Sequence, residues 1–141
     1  MSTKRERTSL TVSNNLKTAL NAKGRNNQMQ SGQAFYDGAA NDIHLAAEQF
    51  DDGSFRSTNV TAGVVTFDFI EPSDPVLTRM YTEREMSIMI GQTPGVGGSS
   101  GVFSGSTWTW TIIFNGVNQS ANDTSKPDAM AKAYIKCLNL L

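Results

Sequence analysis

The residues whose types could support chemistry are few and widely spaced. His44 is the only histidine and Cys137 the only cysteine, so a Ser-His-Asp or Cys-His arrangement would have to use His44 as its base. Nothing in the neighbouring sequence helps it, and Cys137 lies in an apolar segment that suits a small core residue. His44 reads as a partly exposed side chain, and the His and Cys count is too small for a structural zinc site. Asp51-Asp52 and Glu83-x-Glu85 are the close carboxylate pairs. They could hold Ca²⁺ or do acid–base work, but a calcium loop needs several oxygen ligands at fixed spacing, which these segments lack. Turn chemistry explains the first pair and a solvated helix end the second.

Two other segments invite a functional reading. Gly95-Val96-Gly97-Gly98-Ser99-Ser100-Gly101 has the composition of a phosphate-binding loop but holds no Lys to meet the phosphates, and it reads as a flexible linker. Trp108, Trp110 and Phe114 could stack bases, yet no basic residue occurs between Arg84 and Lys126, which favours a core or subunit-interface role. The expectation is a protein that is not an enzyme and uses neither cofactor nor metal.

The elements that must position these residues come from a chain of 141 residues, 38% hydrophobic and 18% charged, with net charge −1. That length fits one domain, and the low apolar share suits a subunit that buries part of its surface against others. Residues 1–30 carry six basic side chains against Glu6 alone, a net +5, and the rest of the chain sums to −6. This basic start could be a solvated terminus, an arm docking on an acidic neighbouring copy, or a phosphate binder without aromatics to stack bases. A lone Cys fits a reducing compartment. No apolar run approaches the roughly 20 residues that span a bilayer, and the N-terminus lacks a signal peptide's apolar segment, so a soluble product of a cytoplasm is expected, with no membrane partner.

Along the chain, Val12, Leu16 and Leu20 have helical spacing, and residues 21–32 have loop composition. Gln33 to Tyr36 is a short aromatic strand before Asp37-Gly38, and Asp42 to Phe50 competes between strand and helix, with the turns at both ends favouring strand. From Phe55 to Ile70 a strand pattern places Val65, Phe67 and Phe69 on a core-facing side. Pro75 and the stripe Val76, Leu77, Met80 and Tyr81 predict a short helix over about 74–84. Met86, Ile88 and Ile90 alternate as a strand, Gly91 to Gly105 reads as a mobile loop, and Thr107 to Phe114 alternates Trp108, Trp110, Ile112 and Phe114 against a Thr face. From Lys126 onward, local propensity favours a helix through Met130, Tyr134, Cys137, Leu138 and Leu141, whereas alternation would allow a strand.

This order of elements resembles the tail tube proteins of long-tailed bacteriophages. Gly63-Val64-Val65-Thr66-Phe67-Asp68-Phe69, then Glu71-Pro72-Ser73-Asp74-Pro75-Val76-Leu77, is similar to that family's strand, acidic Pro break and helix. Glu85 to Ile90 and Ser106 to Phe114 are similar to its next strands, and Asn118 to Leu138 to its loop and long final strand. The resemblance covers about residues 60–138. It implies a mainly β fold, a β-sandwich or barrel-like tail-tube fold with one short flanking helix at about 74–84 and an extended N-terminal arm or long loop. The division would be a basic arm over 1–32 and an assembly domain over 33–141. It further implies rings of six copies stacked into a virion tube through which DNA passes without specific binding, the partners being further copies and other virion proteins.

Candidate assembly residues are Lys4, Arg5 and Arg7 of the arm, Phe35 and Tyr36 of the aromatic strand, and Trp108 and Trp110. A capsid decoration protein or head-to-tail connector is the alternative role, and a small binding module using Trp108 and Trp110 a further one.

Overall fold

Ser9 starts the first helix of the molecule, its Oγ accepting from the Val12 backbone N–H and so satisfying one of the donors that every helix start leaves open. The structure is a computed structural model that describes residues 6–25, 33–37, 43–52, 54–70 and 77–141. Helix α1 spans Leu10–Ala22 and buries Val12, Ser13, Leu16, Ala19 and Leu20, the face that the spacing predicts. The elements that follow are β1 (Ala34–Asp37), β2 (Ile43–Gln49), β3 (Phe55–Thr61), β4 (Val64–Ile70), β5 (Leu77–Met80), α2 (Glu83–Gly91), β6 (Val96–Ser104), β7 (Thr107–Phe114), β8 (Val117–Asp123) and α3 (Lys126–Leu138). Among the described residues eight strands against three helices make the fold mainly β, and neither of the two antiparallel sheets closes into a barrel.

The chain divides into two compact units, residues 26–80 and residues 1–25 with 81–141. The expected division was a basic arm over 1–32 and an assembly domain over 33–141. Residues 10–22 form a packed helix, and the chain just before it is stitched to its unit. Arg7 bridges to Thr82, the Thr8 N–H donates to the Tyr81 carbonyl at 2.9 Å, and the Tyr81 N–H donates back to Thr8 Oγ1 at 2.9 Å. Lys4 and Arg5 lie outside the described residues.

Residues 26–80 carry one sheet in the order β4-β3-β2-β1-β5. The strand reading of 42–50 holds as β2, and the 55–70 pattern is a hairpin, β3 and β4 joined by Ala62-Gly63. Both turn residues have positive φ, 51° and 79°, as a two-residue turn that follows strand twist requires. Phe35, Phe55 and Leu77 form the core of this unit. Phe55 pairs with Ile70, so it shares a face with residues of even number in β4, and Val65, Phe67 and Phe69 fall on the opposite, uncovered face. The expectation that they look into the core is corrected. Alternation shows which residues share a face, and the position of β4 at the sheet edge decides how much of that face is covered.

The predicted helix at 74–84 is also corrected. Leu77–Met80 is strand β5, pairing with β1 through Ala34–Met80 and Asp37–Leu77, and residues 74–76 lie outside the described residues. The helix begins where the prediction ends it. Thr82 and Glu85 form a reciprocal capping box, with Thr82 N–H to Glu85 Oε1 at 3.0 Å and Glu85 N–H to Thr82 Oγ1 at 3.2 Å. Met86 and Ile90, four residues apart, are buried while Ile88 between them is half-exposed. The alternation of Met86, Ile88 and Ile90 is thus one face of α2 with an outlier, not a strand.

In the other unit, β6-β7-β8 form a sheet covered on one face by α3, and α1 and α2 pack on α3 in turn. Trp110, Ile112 and Phe114 of β7 meet Ala129, Met130, Ala133, Tyr134, Cys137 and Leu138 of α3 in one core with Leu16, Leu20, Met86 and Ile90. Because α3 has a sheet on one side and helices on another, it is apolar around most of its circumference. It follows the local helix reading and overturns the strand implied by resemblance: Ser125 caps it, Pro127 sits in its first turn, and Lys136 lies in its last. The predicted mobile loop over Gly91–Gly105 contains β6, paired with β7 from Val96–Phe114 to Ser104–Thr107. One of its glycines, Gly101, leaves room for the Trp110 ring.

Candidate assembly surfaces

The carboxylate pairs are taken up by structure. Asp52 Oδ1 accepts from the Ser54 N–H at 2.9 Å and from Ser54 Oγ at 2.5 Å, and these bonds hold its carboxyl below the ordinary aspartate range. Glu85 closes the capping box, and Glu83 pairs with Lys126 Nζ. Gly97 to Gly101 spells the G-x-S-x-G of a nucleophile elbow, but Ser99 stands mid-strand opposite Ile112, not on a strand-to-helix turn. His44 lies in β2 opposite Phe35. Cys137 is buried in α3, which pushes its thiol up from the usual value. Among the described residues no three His, Cys, Asp or Glu gather as metal ligands, and no helix is long and apolar enough to cross a membrane. A hollow of about 400 Å³ beside the start of α2 is lined by Glu6, Thr82, Glu83, Arg84, Ser87 and Pro127.

Several expected contact residues are internal. Phe35 belongs to the core of its unit, and Trp110 is 8% exposed in the core of the other. Tyr36 and Trp108 are half-buried, and Arg7 is half-buried in its bridge to Thr82. The tryptophan rings are covered by the chain itself. Lys126 Nζ stands 4.7 Å from the Trp108 ring centroid and 5.6 Å from that of Trp110, and the Phe103 ring lies 5.2 Å from Trp108. These contacts leave Trp108 and Trp110 poorly placed as a stacking platform, as does the packing of Gly101 of β6 on the Trp110 ring.

Much of the apolar surface left open among the described residues lies on sheet edges. β4 ends the five-stranded sheet, and its side chains are exposed on both faces: Val64 at 61%, Val65 at 52%, Phe67 at 59% and Phe69 at 75%. Phe50 meets Phe69 at 5.4 Å between ring centroids, and the Arg56 guanidinium carbon stands 5.1 Å over the Phe67 ring. Its seven pairs with β3 run without a bulge, and it has no Pro, Lys or Arg. Edge strands of soluble proteins are ordinarily blunted by such devices. β6 is a second edge, nine residues without a charge, with Val102 and Phe103 exposed near its end. Thr107, Thr109 and Thr111 share the sheet face away from α3, where Thr111 Oγ1 meets Ser120 Oγ at 2.8 Å.

The signal for these edges was present in the sequence as alternation in β4, but the same pattern also fits a buried strand. For β6 the Gly-rich composition concealed it. No family model matches the chain, and neither a curated protein nor a solved structure shows significant similarity to it.

Proposed function

We propose that this chain is a structural subunit that assembles with further copies of itself through its sheet edges. The observation that carries the reading is β4: an edge strand with four large apolar side chains exposed and no Lys, Arg, Pro or bulge to blunt it. In a lone molecule such an edge is an aggregation hazard, and pairing with another subunit removes it. An exposed apolar patch of this kind is a usual mark of a protein–protein contact.

The assembly implied by the resemblance is a virion tail tube of stacked rings of six, made in a host cytoplasm and passing DNA. The β-sandwich belongs to the same proposal. A capsid decoration or connector subunit is the second reading, favoured because α2 and α3 stand where the tube fold has strands. Electron microscopy of the purified protein, with light scattering across a concentration series, tests the proposal. Rings, tubes or closed particles are expected of a self-assembling subunit, and binding only to preformed capsids is expected of a decoration protein. A monomer at every concentration that binds no capsid overturns both.

A further inference from the structure

We infer that β4 pairs antiparallel with β4 of a second copy about a two-fold axis at Phe67, an inference that rests on the self-assembly reading and names its partner and register. The backbone restricts the choice. The two-residue turn at Ala62-Gly63 closes on the pair Thr61–Val64, and hydrogen-bonded pairs alternate from there along an antiparallel ladder. Residues 64, 66, 68 and 70 therefore bond to β3, and residues 65, 67 and 69 direct their N–H and C=O groups to the open edge. A second β4 can use those groups only where its own odd-numbered residues stand opposite them.

Every two-fold register centred on a residue satisfies that condition, and those centred on Thr66, Phe67 and Asp68 pair the most residues. Centring on Asp68 sets Asp68 against its own copy, and like charges directly opposite are destabilising. Centring on Thr66 pairs only residues 64–68 and leaves Phe69 and Ile70 without partners. Centring on Phe67 pairs all seven residues: Phe67 with Phe67, Val65 with Phe69, Thr66 with Asp68, and Val64 with Ile70 of the second copy. It also sets Val65, Phe67 and Phe69 of both copies on one face, where aromatic cross-strand pairs add to the ladder.

The area agrees with a dimer of modest strength. At about 200 Å² per Phe side chain, the exposed parts of Phe67 and Phe69 alone come to about 270 Å² per copy. Strand pairing covers the flank of each side chain that faces the second copy and not the open sheet face, so these areas, with Val64, Val65 and the open backbone, set an upper limit near the ~1,000 Å² in total at which specific interfaces begin. Such a contact is isologous and closes on itself, so growth beyond a dimer must use another surface, such as the β6 edge with Val102 and Phe103 exposed.

Cysteine cross-linking of the full chain tests the register. Opposed hydrogen-bonded residues have Cα atoms about 5.5 Å apart, within the range a disulfide spans. Under mild oxidation Phe67→Cys is expected to give at least tenfold more disulfide dimer than Ile88→Cys, a half-exposed control on α2. Phe69→Glu is expected to weaken self-association at least tenfold in sedimentation, with the circular dichroism spectrum unchanged. If the wild type assembles while Phe67→Cys cross-links no better than the control, the pairing is wrong and self-assembly stands. An assembled particle without two-fold axes has the same meaning. If the wild type stays monomeric throughout, both readings fall.

Discussion

Gly101 faces Trp110 across the β6–β7 ladder, and a Cβ at Gly101 would lie 2.3 Å from Cε3 and 2.6 Å from Cζ3 of that ring. The indole occupies the space a side chain would need, and it is held there by α3 and α1 residues of the same core. Gly101→Ala is therefore expected to destabilise the unit by about 1–3 kcal/mol, as overpacking does. Gly98, three positions earlier, has open space at the same point, so Gly98→Ala should be close to neutral. Both tryptophans lie in this unit, so denaturant unfolding followed by their fluorescence reports it directly. Equal stability of the two variants would mean that 91–105 is the loop its composition suggests.

Tyr134 and Thr93 join α3 to the turn after α2. Thr93 Oγ1 donates to the Met89 carbonyl at 2.8 Å, which leaves it to accept from Tyr134 Oη at 2.7 Å, and both residues are buried. Tyr134→Phe keeps the ring and removes the donor. A loss of about 0.5–1.5 kcal/mol is expected, measured by the same fluorescence transition. Thr93→Val should cost more than Tyr134→Phe, since it also leaves the Tyr134 hydroxyl without its partner. The reverse order would show that the hydrogen bond does not hold these elements.

What was legible in the sequence was what local chemistry alone decides. Ser9 and the spacing of Val12, Leu16 and Leu20 specify α1, the alternation in 107–114 specifies β7, and Ser125-Lys126-Pro127 specifies the start of α3. The misreadings cluster where two patterns coincide. Met86, Ile88 and Ile90 fit period two, but only Met86 and Ile90 are buried, and the capping signal at Thr82–Glu85 lay unread beside them. Leu77 and Met80 fit one face of a helix and also the strand that β1 recruits. Coverage of a face is a tertiary property, so the sequence showed that Val65, Phe67 and Phe69 stand together and could not show that β4 is an edge. The same limit made Phe35 and Trp110 look like contact residues when they are core.

The capping box gives a direct check on α2. Thr82→Ala removes the acceptor for the Glu85 N–H and should cost about 1 kcal/mol, with Glu85→Ala costing less. Because Glu83 also pairs with Lys126, the double variant Thr82→Ala with Glu83→Ala should be nearly additive only if cap and ion pair act independently. Were residues 86–90 a strand, Thr82→Ala would leave the unfolding midpoint where it is.

Asp128 sets an expectation for pH. It lies in the first turn of α3, buried, with its Oδ1 accepting from the Ser9 N–H at 2.8 Å, and so ties the start of α1 to that of α3. Burial raises its pKa above the ordinary aspartate value. The Asp123 carboxylate adds to the shift, while the Ser9 hydrogen bond and the Lys132 ammonium oppose it. An acid whose pKa is raised by folding favours the fold below its unfolded value, about 3.9, and loses that contribution as pH rises through the folded value. Asp123 is shifted the other way: despite a desolvation cost, its bonds to Lys132 and Ser125 lower its pKa, so its contribution is lost as pH falls. The two are separated by Asp128→Asn, which keeps an oxygen for Ser9 and removes the charge. Its stability relative to the wild type is expected to rise from pH 4 to pH 7, read from unfolding curves at each pH. A difference that is flat or falls over that range would mean that Asp128 is ionised in the folded protein without penalty.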